Sequence, residues 1–228
     1  MTDAQEPADR RLAAEALAAN DPTGWFEPLY AEAAAGSSIV PWDNAYPNPL
    51  LADWLAAHPV PVGARALVIG CGLGTDAEFV AAQGIRTTAF DISPTAIRGA
   101  RARHPGSPVA YQVADLLNPP TAWAAAFDLV IESITVQSLP PTVREPALAA
   151  LRTFPAPGAT LLVIADIATT PLPGPPWPLT RADIDAIATP DLTPVRVERL
   201  PRPDFPGRHR WRAEFHQADR LDPTSGRQ

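Results

Sequence analysis

A strand that enters a helix through three closely spaced glycines constrains this chain more than any other feature. The apolar run 66–69 leads into a GxGxG turn at residues 70–74, and residues 75–83 have helical character. A second apolar run, residues 87–90, follows and ends on Asp91. This pattern predicts a β–α–β unit. An acidic residue about 20 positions beyond such glycines is the one that holds an adenosine by its ribose hydroxyls.

The spacing of the glycines narrows the class of ligand. A dinucleotide-binding turn has glycine at its first, third and sixth positions, so that a pyrophosphate can sit on the helix N-terminus. Here the sixth position is Thr75, and the glycines are Gly70, Gly72 and Gly74. Because these three glycines have no side chains, the backbone can approach a ligand closely. The spacing favours an adenosyl group that carries no diphosphate. The chain contains no lysine, which excludes a phosphate-binding P-loop.

These segments resemble the first two motifs of class I S-adenosylmethionine (SAM) dependent methyltransferases. Most of those enzymes carry an acid two residues before the first glycine, where this chain has Val68. The thiopurine, thiol and halide methyltransferase branch also lacks that acid, and its patterns GCGxGxD and DxSxxA match residues 70–76 and 91–96. Its upstream Pro-Trp-Asp element matches residues 41–43, and the resemblance covers roughly residues 25–217.

The resemblance implies a Rossmann-like α/β fold. Its sheet would have seven mostly parallel strands in the order 3-2-1-4-5-7-6, with helices on both faces. Beyond the first two, apolar runs predict strands at residues 109–113, 127–131, 159–165, 195–200 and 210–216. A chain of 228 residues suits one domain. We expect an N-terminal helical lid or cap over residues 1–60, a SAM-binding core over 61–217 and a flexible tail over 218–228.

The resemblance also assigns a site for the donor. The residues it places against SAM are Trp42, Gly70, Cys71, Gly72, Gly74, Asp76, Asp91, Ile92, Asp115, Leu116 and Glu132. Among these, Asp91 would accept from the ribose hydroxyls and Asp115 from the adenine amine. Two plainer interpretations stay open: Asp115 capping a surface turn and Trp42 packing within its own loop. Cys71 is interpreted as structural, since a small residue fits inside the turn.

Acceptor contacts are expected beyond the end of the fourth predicted strand, where open α/β sheets bind ligands. The predicted substrate-binding residues are Trp25, Tyr30, Tyr46, Thr135, Gln137 and Trp177. Trp25 and Tyr30 fall at helical spacing, which fits either a core stripe or a lid, and the resemblance favours the lid. Trp177 lies in a proline-rich loop that either walls the pocket or simply connects two elements. The side chains after the fourth strand could equally be helix caps.

The chemistry implied is in-line transfer of a methyl group, in which the protein holds donor and acceptor collinear and dry. A thiolate or halide acceptor requires no base, whereas a phenol or an amine requires one within hydrogen-bond reach. Asp43 and Glu132 are the catalytic candidates. Our hypothesis is catalysis by positioning without an obligatory base. The four histidines have no metal-ligand spacing, so we expect no metal.

Charge and cysteine content bear on partners and location. A net charge of −7 without basic blocks argues against nucleic acid. The sequence has no apolar run of about 18 residues, which argues against a membrane span. A single cysteine and an N-terminus without an apolar core predict a cytoplasmic location. The expected partner is a small-molecule methyl acceptor, and the protein is expected to be a monomer or a homodimer.

The favoured function is therefore SAM-dependent methylation of a small molecule at sulfur, oxygen, nitrogen or halide. One alternative is an NAD(P)-dependent oxidoreductase, which Thr75 in place of the third glycine opposes. The other is a non-catalytic SAM-binding regulatory protein, because the acceptor-side residues match no pattern known to us.

Overall fold

The structure, a computed structural model, describes residues 6–168, 174–202, 205 and 207–219. The described residues form the strands β1 (Arg65–Ile69), β2 (Arg86–Asp91), β3 (Ala110–Val113), β4 (Phe127–Ser133), β5 (Pro155–Asp166), β6 (Leu192–Pro201) and β7 (His209–Gln217). The α-helices are α1 (Ala8–Ala18), α2 (Phe26–Ala34), α3 (Pro49–Ala57), α4 (Thr75–Ala82), α5 (Pro94–Arg103), α6 (Arg144–Leu151) and α7 (Arg181–Asp185). The predicted flexible tail lies outside these ranges except for residues 218 and 219.

The strands form one sheet in the order β3-β2-β1-β4-β5-β7-β6, which confirms the predicted fold. Strands β1 to β5 run parallel, while β7 is antiparallel to both β5 and β6. The strand order reverses between β1 and β4, which pair directly with Ile69 opposite Glu132. Ligands bind at such a reversal, beyond the carboxyl ends of the strands. The glycine turn after β1 and the segment after β4 therefore face the same crevice.

The two central strands are buried on both faces, which explains their continuous apolar runs. Leu67 and Val130 pack in the core on one face of the sheet, and Val68 and Ile131 pack on the other. Several observed strands are longer than predicted. Among them, β5 begins at Pro155 rather than residue 159, and β4 continues to Ser133 rather than ending at Ile131. The longer β4 decides which way the side chains that follow Ile131 point.

Polar caps fix the helices next to the crevice. Ser93 accepts from the backbone N–H of Ala96 (3.0 Å) at the start of α5, with Pro94 in its first turn, as the sequence predicts. In α2, Glu27 accepts from the hydroxyls of Ser93 and Thr95 and from the Thr95 N–H. The N-terminal helix α2 is thereby held over the beginning of α5. Within the described ranges, no helix is long and apolar enough to cross a bilayer.

Candidate active site

A cleft opens at the carboxyl ends of β1, β2 and β4. Its volume is about 1250 Å³, open solvent at its mouth included. It is lined by the whole glycine turn, by the residues that follow β2, β3 and β4, by the 40–49 segment and by parts of α2 and β7. Apolar walls with a few convergent polar groups are typical of a small-molecule site.

The glycine turn gives the cleft its floor. All three glycines have positive φ: +59° at Gly70, +53° at Gly72 and +96° at Gly74. A Cβ at Gly70 would lie 2.3 Å from Thr135 Oγ1, and a Cβ at Gly72 would lie 2.8 Å from the Tyr30 hydroxyl. Glycine is required here both by backbone conformation and by the close approach of neighbours.

The carboxylate of Asp91, at the end of β2, is buried and ties the turn to the next helix. Its Oδ2 accepts from the N–H of Gly72 (2.9 Å) and its Oδ1 from the N–H of Ser93 (2.9 Å). Burial raises the pKa of Asp91 to about 6, and these backbone N–H groups act against that rise. A carboxylate has about four acceptor sites on its two oxygens, so acceptor capacity remains for a pair of ribose hydroxyls after these bonds.

Aromatic side chains form the wall above the glycine turn. Trp42 donates from Nε1 to the hydroxyl of Tyr30 (2.9 Å), and the two rings meet edge to face with centroids 6.4 Å apart. Behind them, Trp25 stacks on Phe26 with centroids 4.1 Å apart. Tyr30 is 3% exposed, and burial raises the pKa of its hydroxyl. Such faces attract a cationic group and exclude water.

A closed polar cluster lies beside the turn, at the start of α3 and α4. Asp76 accepts from the backbone N–H of Asn48 (2.8 Å), and the Ser133 hydroxyl lowers its pKa from nearby. Asn48 in turn donates from Nδ2 to Ser133 Oγ (3.0 Å). Burial raises the pKa of Asp76, while its hydrogen bonds and the charge of Arg210 lower it. The cluster places a carboxylate at the cleft with its geometry fixed.

The two catalytic candidates have different surroundings. Asp43 lines the cleft but forms a two-pronged ion pair with Arg103, at 2.7 and 2.8 Å. Glu132 is fully buried on the sheet face away from Ser133, because side chains alternate along β4. Its Oε1 accepts from the N–H groups of Thr135 (2.7 Å) and Val136 (2.9 Å). Glu132 therefore caps the turn that follows β4.

The predicted site residues divide into two groups. Those that line the cleft are Tyr30, Trp42, Asp43, Tyr46, Gly70, Cys71, Gly72, Gly74, Asp76, Asp91, Ile92, Asp115, Leu116 and Thr135. Those that lie outside the described lining are Trp25, Glu132, Gln137 and Trp177. Burial raises the pKa of the Cys71 thiol, in keeping with a structural residue. Residues outside the predicted set of site residues also line the cleft, among them Asn48, Ser133 and Arg210.

Two findings concern metals and the donor. Within the described part of the chain, no group of three or more His, Cys, Asp or Glu residues could hold a metal ion. The bare turn at Gly70–Gly74 and the remaining acceptor capacity of Asp91 fit an adenosyl sulfonium without a diphosphate. Sheet order, glycine turn and Asp91 together define a class I SAM-dependent methyltransferase.

Comparisons with known proteins agree with this assignment. The family model for thiopurine S-methyltransferase matches residues 35–205. Thiocyanate methyltransferase 1 of Arabidopsis thaliana is 26% identical over 166 residues, 72% of this chain and 73% of that protein. A probable thiol methyltransferase 2 of the same plant is 25% identical over 185 residues, 80% of this chain and 79% of that protein. The chain belongs to the thiopurine S-methyltransferase family.

Solved structures support the fold. The 1,6-didemethyltoxoflavin-N1-methyltransferase of Burkholderia thailandensis, solved with S-adenosylhomocysteine (SAH), superimposes with a TM-score of 0.63 at 21% identity. That match covers 96% of this chain and 98% of the other. The family match and the relatives, together with this fold, show that the protein is an enzyme that uses SAM to methylate a small molecule, as predicted. The oxidoreductase and regulatory alternatives are not supported.

We expect the stability of the fold to depend on pH through Glu132. Burial raises its pKa from 4.5 to about 7, and Oε2 has no partner in the described structure. A raised pKa means that the folded state holds the proton more tightly, so the free energy of unfolding falls as pH rises from about 4.5 to 7. Over this pH range the free energy of unfolding falls by about 3 kcal/mol. We expect Glu132→Gln to remove this part of the slope, measured by urea unfolding at pH 5, 6.5 and 8. An unchanged slope would contradict it.

Proposed function

We propose that this enzyme transfers the methyl group to a sulfur nucleophile of a small molecule, by positioning and without an obligatory base. The main support is that both catalytic candidates already have partners: Asp43 pairs with Arg103, and Glu132 caps a buried turn. An ionised thiol needs no base. The family is named for thiopurine, and the two plant relatives are named for thiocyanate and thiol. These names point to the same sulfur chemistry.

The mechanism follows from what the chain can hold in place. SAM, when bound, supplies a methyl group on a positively charged sulfonium that is already a good leaving group. The glycine turn and Asp91 orient the adenosyl part, and Ile92, Asp115 and Leu116 meet the adenine. Tyr30 and Trp42 cover the turn and keep water away from the reacting atoms. Alignment and desolvation are the terms that accelerate such a displacement.

The remaining site roles are also proposals. Thr135 and Tyr46 line the cleft and are the proposed acceptor contacts, and Asp76 is proposed to meet the amino-acid end of SAM. Gln137, Trp25 and Trp177 are proposed to act through packing and hydrogen bonds behind the cleft wall. For Glu132 the buried contacts favour positioning of the turn after β4 over contact with a reacting atom.

The wider organisation rests on the sequence. We propose a single domain in which residues 1–60 cap a core at 61–217, because α2 and Trp42 cover the glycine turn. A cytoplasmic location, a monomer or homodimer, and the lack of nucleic-acid or membrane partners are proposed from the charge pattern and the single cysteine.

A panel of acceptors tests the proposed function. Purified enzyme is given SAM and, in turn, an aromatic thiol, hydrosulfide, thiocyanate, iodide, a phenol and an amine, and SAH is measured. We expect kcat/KM for a sulfur acceptor to exceed that for the matched phenol by at least about 100-fold, equivalent to about 3 kcal/mol in the barrier. Faster methylation of the phenol or the amine would overturn the proposal.

The absence of an obligatory base has a test of its own. We expect Asp43→Asn to keep kcat with the best sulfur acceptor within about tenfold of wild type, because only a surface-side ion pair is lost. Arg103→Gln breaks the same pair from the other side and should match it. A loss of more than about 1000-fold in Asp43→Asn alone, with SAH affinity intact, would establish Asp43 as a base.

A further inference from the structure

We propose that Arg210 is the anion-binding residue of the cleft and that its two terminal nitrogens hold a negatively charged group of a bound ligand. Arg210 is the second residue of β7 and is only 7% exposed, yet it lines the cleft. This inference rests in part on the proposed function, because the charged group belongs either to the acceptor or to the α-carboxylate of the donor.

The hydrogen bonds of Arg210 leave its outer edge available. Its Nε donates to Oδ1 of Asp166 (2.8 Å), at the end of the neighbouring strand β5. Among the described residues, no hydrogen bond joins either terminal nitrogen to an acceptor, and neither nitrogen is among the fully buried atoms without a partner. A guanidinium carries five N–H donors, so the four on the terminal nitrogens are left to solvent in the cleft or to a ligand. The two terminal groups form a fork that matches a carboxylate or another compact anion.

Asp166 also interacts with two side chains other than Arg210. Its Oδ2 also lies 3.6 Å from a terminal nitrogen of Arg202 and accepts from Nε2 of Gln137 (3.1 Å). The carboxylate therefore compensates the charge of Arg210 only partly. An anion arriving from the cleft would complete the compensation, which is a gain available only when a ligand is bound.

The guanidinium is held in place before any ligand arrives. Gln137 forms two hydrogen bonds with Asp166: its Oε1 accepts from the Asp166 N–H (2.5 Å), and its Nε2 donates to the carboxylate. Asp166 in turn fixes Nε of Arg210. Less conformational freedom is then lost on binding, which raises affinity for a correctly placed anion. The same contacts give Gln137 a positioning role from behind the cleft.

The place of Arg210 in the sheet indicates two sources for the anion. Along the order β3-β2-β1-β4-β5-β7, the adenine, ribose and sulfonium subsites lie at β3, β2 and β1, and Arg210 lies three strands beyond β1. At about 4.8 Å per strand, Arg210 starts about 10 Å from β4, and its side chain extends over β5 to the cleft that it lines. Its charge acts on Asp76, which fits an α-amino-acid group held between Asp76 and Arg210. An anionic acceptor above β4 and β5 fits equally.

Arg210→Gln tests the proposal, with Arg212→Gln as the matched control. Arg212 lies two residues further on the same face of β7, is also ion-paired, with Glu198 (2.7 Å), and is outside the described lining of the cleft. Calorimetry uses SAH and 5′-methylthioadenosine, which keeps the adenosyl sulfur but lacks the amino-acid group. Turnover with the best sulfur acceptor gives its KM.

Two results would support the proposal and identify the source of the anion. If SAH binding weakens about 10- to 100-fold while methylthioadenosine binding is unchanged, the anion is the donor carboxylate. If both nucleosides bind as in wild type while the acceptor KM rises by that factor, the anion is the acceptor. Arg210→Lys, which keeps the charge but loses the fork, should show a smaller loss in the same measurement.

Other results would overturn it. These are unchanged SAH affinity together with unchanged acceptor KM, or equal losses in Arg212→Gln, or equal weakening of both nucleosides, which indicates only a structural role. If Arg210→Gln does not fold, Arg210→Lys carries the same comparison. Failure of the proposed function is separate: the phenol or the amine would then be methylated faster than any sulfur acceptor, and the KM of that faster acceptor would be used in the same Arg210 comparison.

Discussion

The variant Gly72→Ala should bind SAH at least about 100-fold more weakly than the wild-type enzyme. Gly72 has a φ of +53°, a region that costs an L-residue about 1–2 kcal/mol. The added Cβ would also lie 2.8 Å from the hydroxyl of Tyr30, inside the space that the donor must share. Any shift that relieves the contact pulls the Gly72 N–H away from Asp91. Strain and contact together amount to about 3 kcal/mol, which corresponds to the stated loss in affinity.

Isothermal calorimetry with SAH measures this loss, and two variants separate its causes. Gly84→Ala is the matched control, because Gly84 has a φ of +80° but a Cβ there meets only Val62 at an ordinary 3.6 Å. It should lose stability and keep its SAH affinity. The double variant Gly72→Ala with Tyr30→Phe removes the hydroxyl and should recover part of the binding. Equal SAH affinity in Gly72→Ala and wild type would mean that the donor does not lie across this turn.

The parts of the fold that could be predicted are those encoded by short stretches of sequence. The strand, glycine turn, helix and second strand span residues 65–91, and each step has a local cause: an apolar run, positive φ, or a capping residue. Ser93 and Pro94 signal the start of α5 in the same local way. Once the first two motifs had indicated the family, the whole strand order followed from the resemblance, and the structure confirms it.

Some of the residues that line the cleft could not be predicted, because they meet only through the fold. Asn48 and Ser133 are 85 positions apart in the chain and are hydrogen-bonded in the structure. Arg210 reads as an ordinary strand residue, and only the pairing of β5 with β7 places it beside Asp166. Nothing within a window of ten or twenty residues carries that information. A polar residue at the end of a strand is ambiguous until its neighbours are known.

Glu132 illustrates a different limit. The apolar run ends at Ile131, so the sequence suggests that the next side chains leave the sheet together. The hydrogen bonds of β4 continue for two more residues, and alternation then sends Glu132 into the core and Ser133 toward the cleft. The extension is imposed by pairing with β1 and β5, which propensity does not report. The predicted catalytic and cofactor roles of Glu132 remain predictions without a contact to the cleft.

The variant Asp91→Asn is expected to weaken SAH binding about 100- to 1000-fold. The carboxylate takes one backbone N–H on each oxygen and keeps acceptor capacity for the ribose. An asparagine has a single acceptor oxygen. Its NH₂ group would therefore replace the oxygen that accepts from either Gly72 or Ser93, and that backbone N–H would lose its acceptor. Losing one charged hydrogen bond costs about 1.5–3 kcal/mol, and leaving a buried donor unpaired costs about 1–3 kcal/mol more.

The pH dependence of SAH binding gives this prediction a second readout. Because the pKa of Asp91 is raised to about 6, the ionised form that accepts from ribose hydroxyls is populated above that pH and lost below it. Wild-type affinity should therefore fall about tenfold between pH 7.5 and pH 5, by linkage to a single proton. Asp91→Asn should show a flat profile over the same range. Asp128→Asn, which removes a half-exposed carboxylate paired with Arg65, should keep both the affinity and the slope of wild type. A pH slope that persists in Asp91→Asn would assign the titration to another group and remove Asp91 from the ribose site.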